Sequence, residues 1–202
     1  MISGVDLPVK DWKTIDAYFQ DNNGYQFVSF SPERYQVSLQ KRVKYYWLFQ
    51  EKIGNPKVAI KRRQMVKIFL LALQRGLIEI QQLFHVDRRK NQKIEFRTGS
   101  NWFSVTGDFA RYIVQQERWI KKTFKYTLCG DEVFVCTLLA NSKFAKQVLP
   151  NQRYVDWKRG NPYVFRLEDL NELLTCNKIF ARKFDQTIDN KIIDAIYDKV
   201  KG

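Results

Sequence analysis

The chain has 202 residues, enough for one substantial core and small for two, so a single α/β catalytic domain spanning residues 1–202 is the expectation. Hydrophobic residues make up 45% and aromatic residues 15%, which excludes a disordered chain. The 35 Lys and Arg against 21 acids give a net charge of +14, which favours anionic partners: nucleic acid, an acidic membrane surface, or phosphorylated small molecules.

Residues 1–7 read as the end of a strand running into a turn at Pro8. Asp11 is placed to cap a helix carrying Trp12, Ile15, Tyr18 and Phe19, closed near Asn23-Gly24. Residues 25–30 alternate as a strand, and the aromatic and basic stretch 40–49 is ambiguous. Residues 61–75 predict a helix ended by Gly76. Its apolar run 68–73, flanked by Lys61, Arg62, Arg63, Lys67 and Arg75, suits either a core helix with a solvated basic face or a helix lying on an anionic surface. Strands are expected at 93–97 and 102–106, and a helix at 108–117. Glu132 opens the next helix, which ends near Asn141. A strand at 153–157, a helix at 167–174 and a closing helix at 188–200 complete an alternation that indicates a layered α/β fold with a mixed sheet flanked by helices.

Several chemistries are excluded by what the chain lacks. Cys129, Cys136 and Cys176 are an odd number without metal-ligand spacing, which argues against a disulfide framework or zinc and for a reducing compartment. No run of about 18 apolar residues exists, and the start does not read as a signal peptide. With His85 the sole histidine and no G-x-S-x-G, a Ser-His-Asp site has little to build on. Neither a P-loop, a G-x-G-x-x-G nor an Asp-x-Asp occurs, so a phosphate ester handled here must be neutralised by Arg and Lys, with no metal expected.

Glu132, in Cys129-Gly130-Asp131-Glu132-Val133-Phe134, falls in the first turn of an apolar helix, where the helix dipole favours an anion. Two readings follow: ordinary capping by Asp131 with a favourable charge beside it, or a fixed ionised general base.

Six blocks recur in one order. They are Ser3-Gly4-x-Asp6-x-Pro8, Gly99-Ser100-Asn101-Trp102-Phe103, Asp131-Glu132-x-Phe134 with Thr137, Tyr154-Val155-Asp156-Trp157, Phe165-Arg166-Leu167-Glu168-Asp169-Leu170, and Phe180-Ala181-Arg182-Lys183-Phe184. Together, over residues 2–198, they resemble the core-2/I-branching glycosyltransferase family (glycosyltransferase family 14), which includes β-1,6-N-acetylglucosaminyltransferases and protein O-xylosyltransferases. The resemblance implies an inverting, metal-independent transferase with a GT-A-like (Rossmann-like) fold, using a UDP-sugar donor and a saccharide or glycolipid acceptor. It implies Glu132 as the base, Arg166 and Lys183 on the diphosphate with Arg182 as a neighbour, and Ser3, Gly4 and Asp6 near the nucleotide. Asn101 with Trp102, and Asp156 with Trp157, then line a saccharide cleft, where indole faces pack on pyranose rings. Asp131 belongs to the same acceptor-side set. The xylosyltransferase-like pattern has aspartate where this chain has Asn101.

His85-Val86-Asp87-Arg88-Arg89 imitates a nucleotide motif of the family but stands in the wrong place, so His85 reads as a loop residue. The family's N-terminal nucleotide-binding segment precedes the block that here starts at Ser3. The resemblance therefore leads to an N-terminally truncated domain, an exposed edge strand at residues 1–3, weak UDP binding by this chain alone, and room for a separate chain supplying the missing part. Two rival readings stay open: a remnant that binds saccharide or a partner without catalysis, and a nucleic-acid module using Tyr45, Tyr46 and Trp47 beside Lys41, Arg42 and Lys44. No recognised DNA or RNA motif supports the latter, so nucleic acid is not expected. A bacterial cytoplasmic enzyme, peripheral to the inner membrane and building a surface polysaccharide, fits the absent anchor and unpaired cysteines.

Overall fold

A computed structural model describes residues 4–54, 60–90, 92–160 and 162–201. In chain order the elements are β1 (Asp6–Pro8), α1 (Trp12–Asp21), β2 (Gln26–Phe27), α2 (Gln36–Lys44), α3 (Gln50–Gly54), α4 (Ile60–Leu83) and α5 (Gly107–Gln115). They continue as α6 (Glu117–Phe124), α7 (Asp131–Ala140), β3 (Val148–Leu149), β4 (Arg153–Val155), α8 (Leu170–Thr175), β5 (Phe180–Arg182) and α9 (Asn190–Val200). The architecture is mixed α/β with small sheets, as the alternation predicts. The chain gathers into two compact units: Met1–Ser29, Trp102–Gly107 and Gln147–Gly202 form the first, and Phe30–Asn101 with Asp108–Lys146 the second. The edge strand expected at residues 1–3 lies outside the described residues.

In the first unit β5 is the central strand, with β1 antiparallel on one side and β4 parallel on the other. A parallel pair needs a crossover, which the segment containing α8 supplies. Strand side chains alternate between faces. Ala181 accordingly joins a core of Leu7, Val9, Phe165, Leu173, Phe184, Ile192 and Ile196, while Phe180 packs with Ile15 and Ile179. Asp11 caps α1 as expected, its Oδ1 accepting from Thr14 N at 2.9 Å, and Gly24 at φ 89° turns the chain after the helix. Trp12 stays exposed, because it precedes the face that Ile15 buries. Asp189 caps α9, accepting from Lys191 N at 2.9 Å and Ile192 N at 3.3 Å. Its α9 partners Ile192 and Ile196, four apart, share the buried face.

The strand expected at 25–30 contracts to β2, paired in parallel with β3. The physical reason is Gln26, fully buried: its side chain bonds Thr106 N and Oγ1 at 3.0 Å each, side-chain contacts that stand in for a ladder. Residues 102–106 therefore contribute one bridge, Ser104 to Phe27, and not a strand.

In the second unit α7 is apolar around most of its circumference and is the buried element, with Val133, Val135, Cys136, Leu138 and Leu139 all inside. Val133 packs with Leu39, Val43 and Phe124. Beside α7 runs the segment 95–99, expected as a strand. It is extended and makes one bridge, Gly99 to Phe30, but forms no strand, because α7 and its C-cap residue take several of its backbone groups. Asn141 bonds Glu95 N at 3.0 Å and O at 2.8 Å, Thr137 Oγ1 bonds Arg97 N and O at 3.1 Å each, and Glu132 C=O accepts from Gly99 N at 3.0 Å. Thr137 is fully buried. Thr137→Val keeps the shape and strands both Arg97 groups, so it is expected to destabilise the chain by about 2 kcal/mol in urea unfolding, whereas Thr137→Ser retains most of the stability. A valine variant as stable as wild type would show that these bonds carry no net stability.

Two helix ends differ from expectation. Gly76 does not stop its helix, since α4 continues to Leu83. A mid-helix glycine costs about 1 kcal/mol relative to alanine, and the glutamines around it offset that. Gln74 bonds Phe49 N and Tyr46 O at 3.2 Å each, and Gln81 accepts from Tyr46 N at 2.7 Å. The helix expected at 108–117 breaks at Gln116 into α5 and α6, and the one at 167–174 opens with a 3-10 turn at Leu167–Asp169.

Candidate active site

Glu132 sits in the first turn of α7, as its sequence context predicts. Capping by Asp131 does not occur: the cap position is Gly130, with no side-chain cap, and Asp131 accepts instead from Asn101 Nδ2 at 2.7 Å. Asn101 and Asp131, two of the residues assigned to the acceptor, thus form one polar pair. The Glu132 backbone is held through its carbonyl by Gly99 N and Thr98 Oγ1, both at 3.0 Å. Its carboxylate Oε2 accepts from Arg42 Nη1 at 2.6 Å, and the side chain is 40% exposed. Oε1 has no hydrogen-bond partner among the described residues. Both residues face a cavity of about 190 Å³ lined also by Ser31, Tyr35, Leu39 and Thr98. Burial pushes the neighbouring Cys129 thiol up, with Arg42 opposing, so it is a poor rival base.

Arg42 was not singled out from the sequence as a partner of Glu132. It stands 90 positions away, and the stretch that holds it has no clear period. The available signal was the i, i+4 pair Leu39 and Val43, whose burial fixes the face from which Arg42 projects.

In the first unit, Phe165 N donates to Lys183 O at 2.9 Å and Lys183 N to Tyr163 O at 3.3 Å. This backbone pairing brings the segment that carries Arg166 beside Lys183. Arg166 N is fixed by Asp169 Oδ2 at 2.8 Å and Leu167 N by Asp189 Oδ2 at 2.9 Å. Among the described residues neither cationic head has an ion pair within 4.0 Å.

Arg182 is differently employed. Opposite Asp6 in the sheet register, its Nε lies 3.7 Å from Asp6 Oδ1, and Arg153 Nη2 lies 3.5 Å from Oδ2. All three side chains are buried or nearly so, and burial lowers the Arg153 pKa against the pull of Asp6. The Arg182 guanidinium lies 4.0 Å from the Trp102 ring centroid, and Trp102 lies 6.3 Å from Trp157 at a 30° tilt. Guanidinium and two indoles thus form a stack whose outer member, Trp157, is 57% exposed. The two tryptophans assigned to saccharide therefore do come together.

Asp156 organises its own turn, accepting from Lys158 N at 2.6 Å and Arg159 N at 3.2 Å. The Arg159 side chain lowers its pKa and also binds Asp169 at 2.6 Å and Glu172 at 3.0 Å. Gly4 lies in an exposed turn, and Ser3 is outside the described residues.

His85 is a turn residue at φ 51° after α4, as expected. Its neighbours are structural: Arg88 donates to Thr123 O at 2.6 Å and Tyr45 O at 3.2 Å, and the Arg89 side chain holds the Asp87 carboxyl down to about 2. Tyr45 is buried and Arg88 lies over Tyr46, so Tyr45, Tyr46 and Trp47 do not present one open stacking face. Cys129, Cys136 and Cys176 are free thiols. No helix among the described residues is long and apolar enough to cross a membrane.

Residues 1–175 match the family described as Core-2/I-Branching enzyme. Xylosyltransferase sqv-6 of Caenorhabditis briggsae is 26% identical over 142 residues, covering 57% of this chain and 18% of that protein. Xylosyltransferase 2 of Rattus norvegicus is 26% identical over 121 residues, covering 48% and 14%, and that of Homo sapiens gives the same figures. The chain spans less than a fifth of the length of these relatives. With 175 of its 202 residues matched, the chain belongs to the Core-2/I-branching enzyme family of glycosyltransferases.

Proposed function

We propose that this chain is an inverting glycosyltransferase of GT-A-like fold, passing a xylose- or N-acetylglucosamine-type sugar from UDP to a hydroxyl of a saccharide or glycolipid. The observation that carries the reading is Glu132: a carboxylate fixed by Arg42 through one oxygen, with the other oxygen open to a cavity. In this reading Oε1 takes the acceptor hydroxyl proton as that oxygen attacks the anomeric carbon. The bond from that carbon to the β-phosphate oxygen breaks, UDP leaves, and the configuration inverts. Arg166 and Lys183 receive the charge that develops on the diphosphate, the part a divalent ion plays in other transferases, so no metal is required. The Trp157 face is the saccharide platform in this reading, with the adjacent Asp156 as a polar contact, and the Asn101–Asp131 pair is assigned to the acceptor by the family resemblance.

Incubating the chain with oligosaccharide acceptors and a large excess of UDP-xylose or UDP-N-acetylglucosamine, which offsets the weak UDP binding expected of this chain alone, in the presence of EDTA is the direct test. The expected result is acceptor-dependent UDP release and a new glycosidic bond of inverted configuration. Release that requires a metal removes the metal-free mechanism. Saccharide binding without transfer favours the second reading, a binding remnant, which the exposed Trp157 indole also suits.

A further inference from the structure

Helix α4 is turned inside out. Its glutamines Gln74 and Gln81, seven apart, face the protein and bond the backbone of Tyr46, while large apolar residues face solvent. Val66, Phe69, Leu73, Ile80 and Leu83 are each between 41% and 75% exposed, Met65 and Phe84 stand at the ends of the stripe, and Ile68 and Leu71 are exposed outside it. Together with Gly76 these five have the spacing 3, 4, 3, 4, 3, the a/d repeat of a coiled-coil seam. A contiguous apolar stripe of this kind on a soluble surface marks an interface.

The sequence of the stripe identifies what covers it. We propose that α4 pairs antiparallel with α4 of a second copy of this chain, about a two-fold axis between residues 74 and 75. In that register Val66 meets the partner's Leu83, Phe69 the partner's Ile80, and Leu73 the partner's Gly76, and the same three contacts repeat across the axis. An isologous interface demands this self-complementarity. A lipid surface does not.

Gly76 supplies the independent observation. It sits inside a continuous 24-residue helix without a positive φ, and a Cβ built on it meets nothing within 4 Å among the described residues. Packing within the protomer therefore does not explain a residue that weakens the helix. A partner does: the missing side chain is the hole into which the large Leu73 knob of the second copy fits, at the centre of the seam where the helices come closest.

Sedimentation equilibrium on the full chain tests this. The expected result is a dimer at micromolar concentration, weakened at least about tenfold by Gly76→Leu. That substitution raises helix propensity and places its side chain in solvent within the protomer, so loss of the dimer cannot be laid to unfolding. Leu73→Gly combined with Gly76→Leu exchanges knob and hole and restores association. A wild-type monomer overturns the proposal, as does a Gly76→Leu chain that dimerises undiminished. So does a monomer that partitions onto phosphatidylserine vesicles equally with and without Gly76→Leu, which assigns the stripe to lipid instead.

Discussion

Glu132→Gln is expected to lower the sugar-transfer rate by about 10² to 10⁴-fold, the usual contribution of a positioned general base. The amide keeps the size of the side chain and can still accept from Arg42, which now holds the carboxylate at 2.6 Å. The loss should therefore fall on kcat, with KM for donor and acceptor nearly unchanged, the signature of a group that acts only in the transition state. Arg42→Ala provides the contrast: it leaves a base but frees its rotamer, so a smaller loss of rate is expected. Glu132→Gln at wild-type rate would remove Glu132 from the mechanism, whatever its place on α7.

Removing both Arg166 and Lys183 as alanines should lower kcat/KM for the UDP-sugar by about 10³-fold, since single charge-stabilising donors are typically worth 10² to 10³. The double variant is expected to fold. Its backbone anchors, Asp169 to Arg166 N and Phe165 N to Lys183 O, do not involve the lost side chains. An activated donor with a nitrophenyl leaving group, which develops no diphosphate charge, should be far less affected. Equal loss on both donors would mean that these cations serve structure and not the leaving group. Arg182→Ala belongs to a different class, because Arg182 is held between Asp6 and the Trp102 ring. Its removal leaves the buried Asp6 with less compensation and should appear first as lost stability.

Local rules carried much of the molecule. Asp11 caps its helix where its spacing to the following apolar residues predicts, since a cap is settled within one turn. Glu132 lies in a first turn because the apolar run that follows it sets where the helix starts, without a side-chain cap. The likeness of Arg166 and Lys183 to a family pattern pointed to a shared role, and a backbone pairing brings their segments together. Strands failed more often than helices. At 93–97 and 102–106 the alternation was real, but whether an extended segment finds a strand or a helix side chain for its N–H and C=O groups is a long-range matter. Thr137 and Asn141 won that competition for one segment and Gln26 for part of the other. Gly76 misled because its cost is small against the contacts of a long helix.

The sequence by itself determined the family, the α/β class and the positive charge, and its resemblance to the family singled out Glu132, Arg166 and Lys183 for the proposed chemistry, because these rest on residue chemistry and short spacings. Only the tertiary structure decided that Arg42 holds Glu132 across 90 positions, that Asp6 joins Arg153 and Arg182 inside the sheet, and that α4 turns its apolar stripe outward. Those outcomes depend on which buried polar groups find partners, and such partners are chosen by the folded chain as a whole.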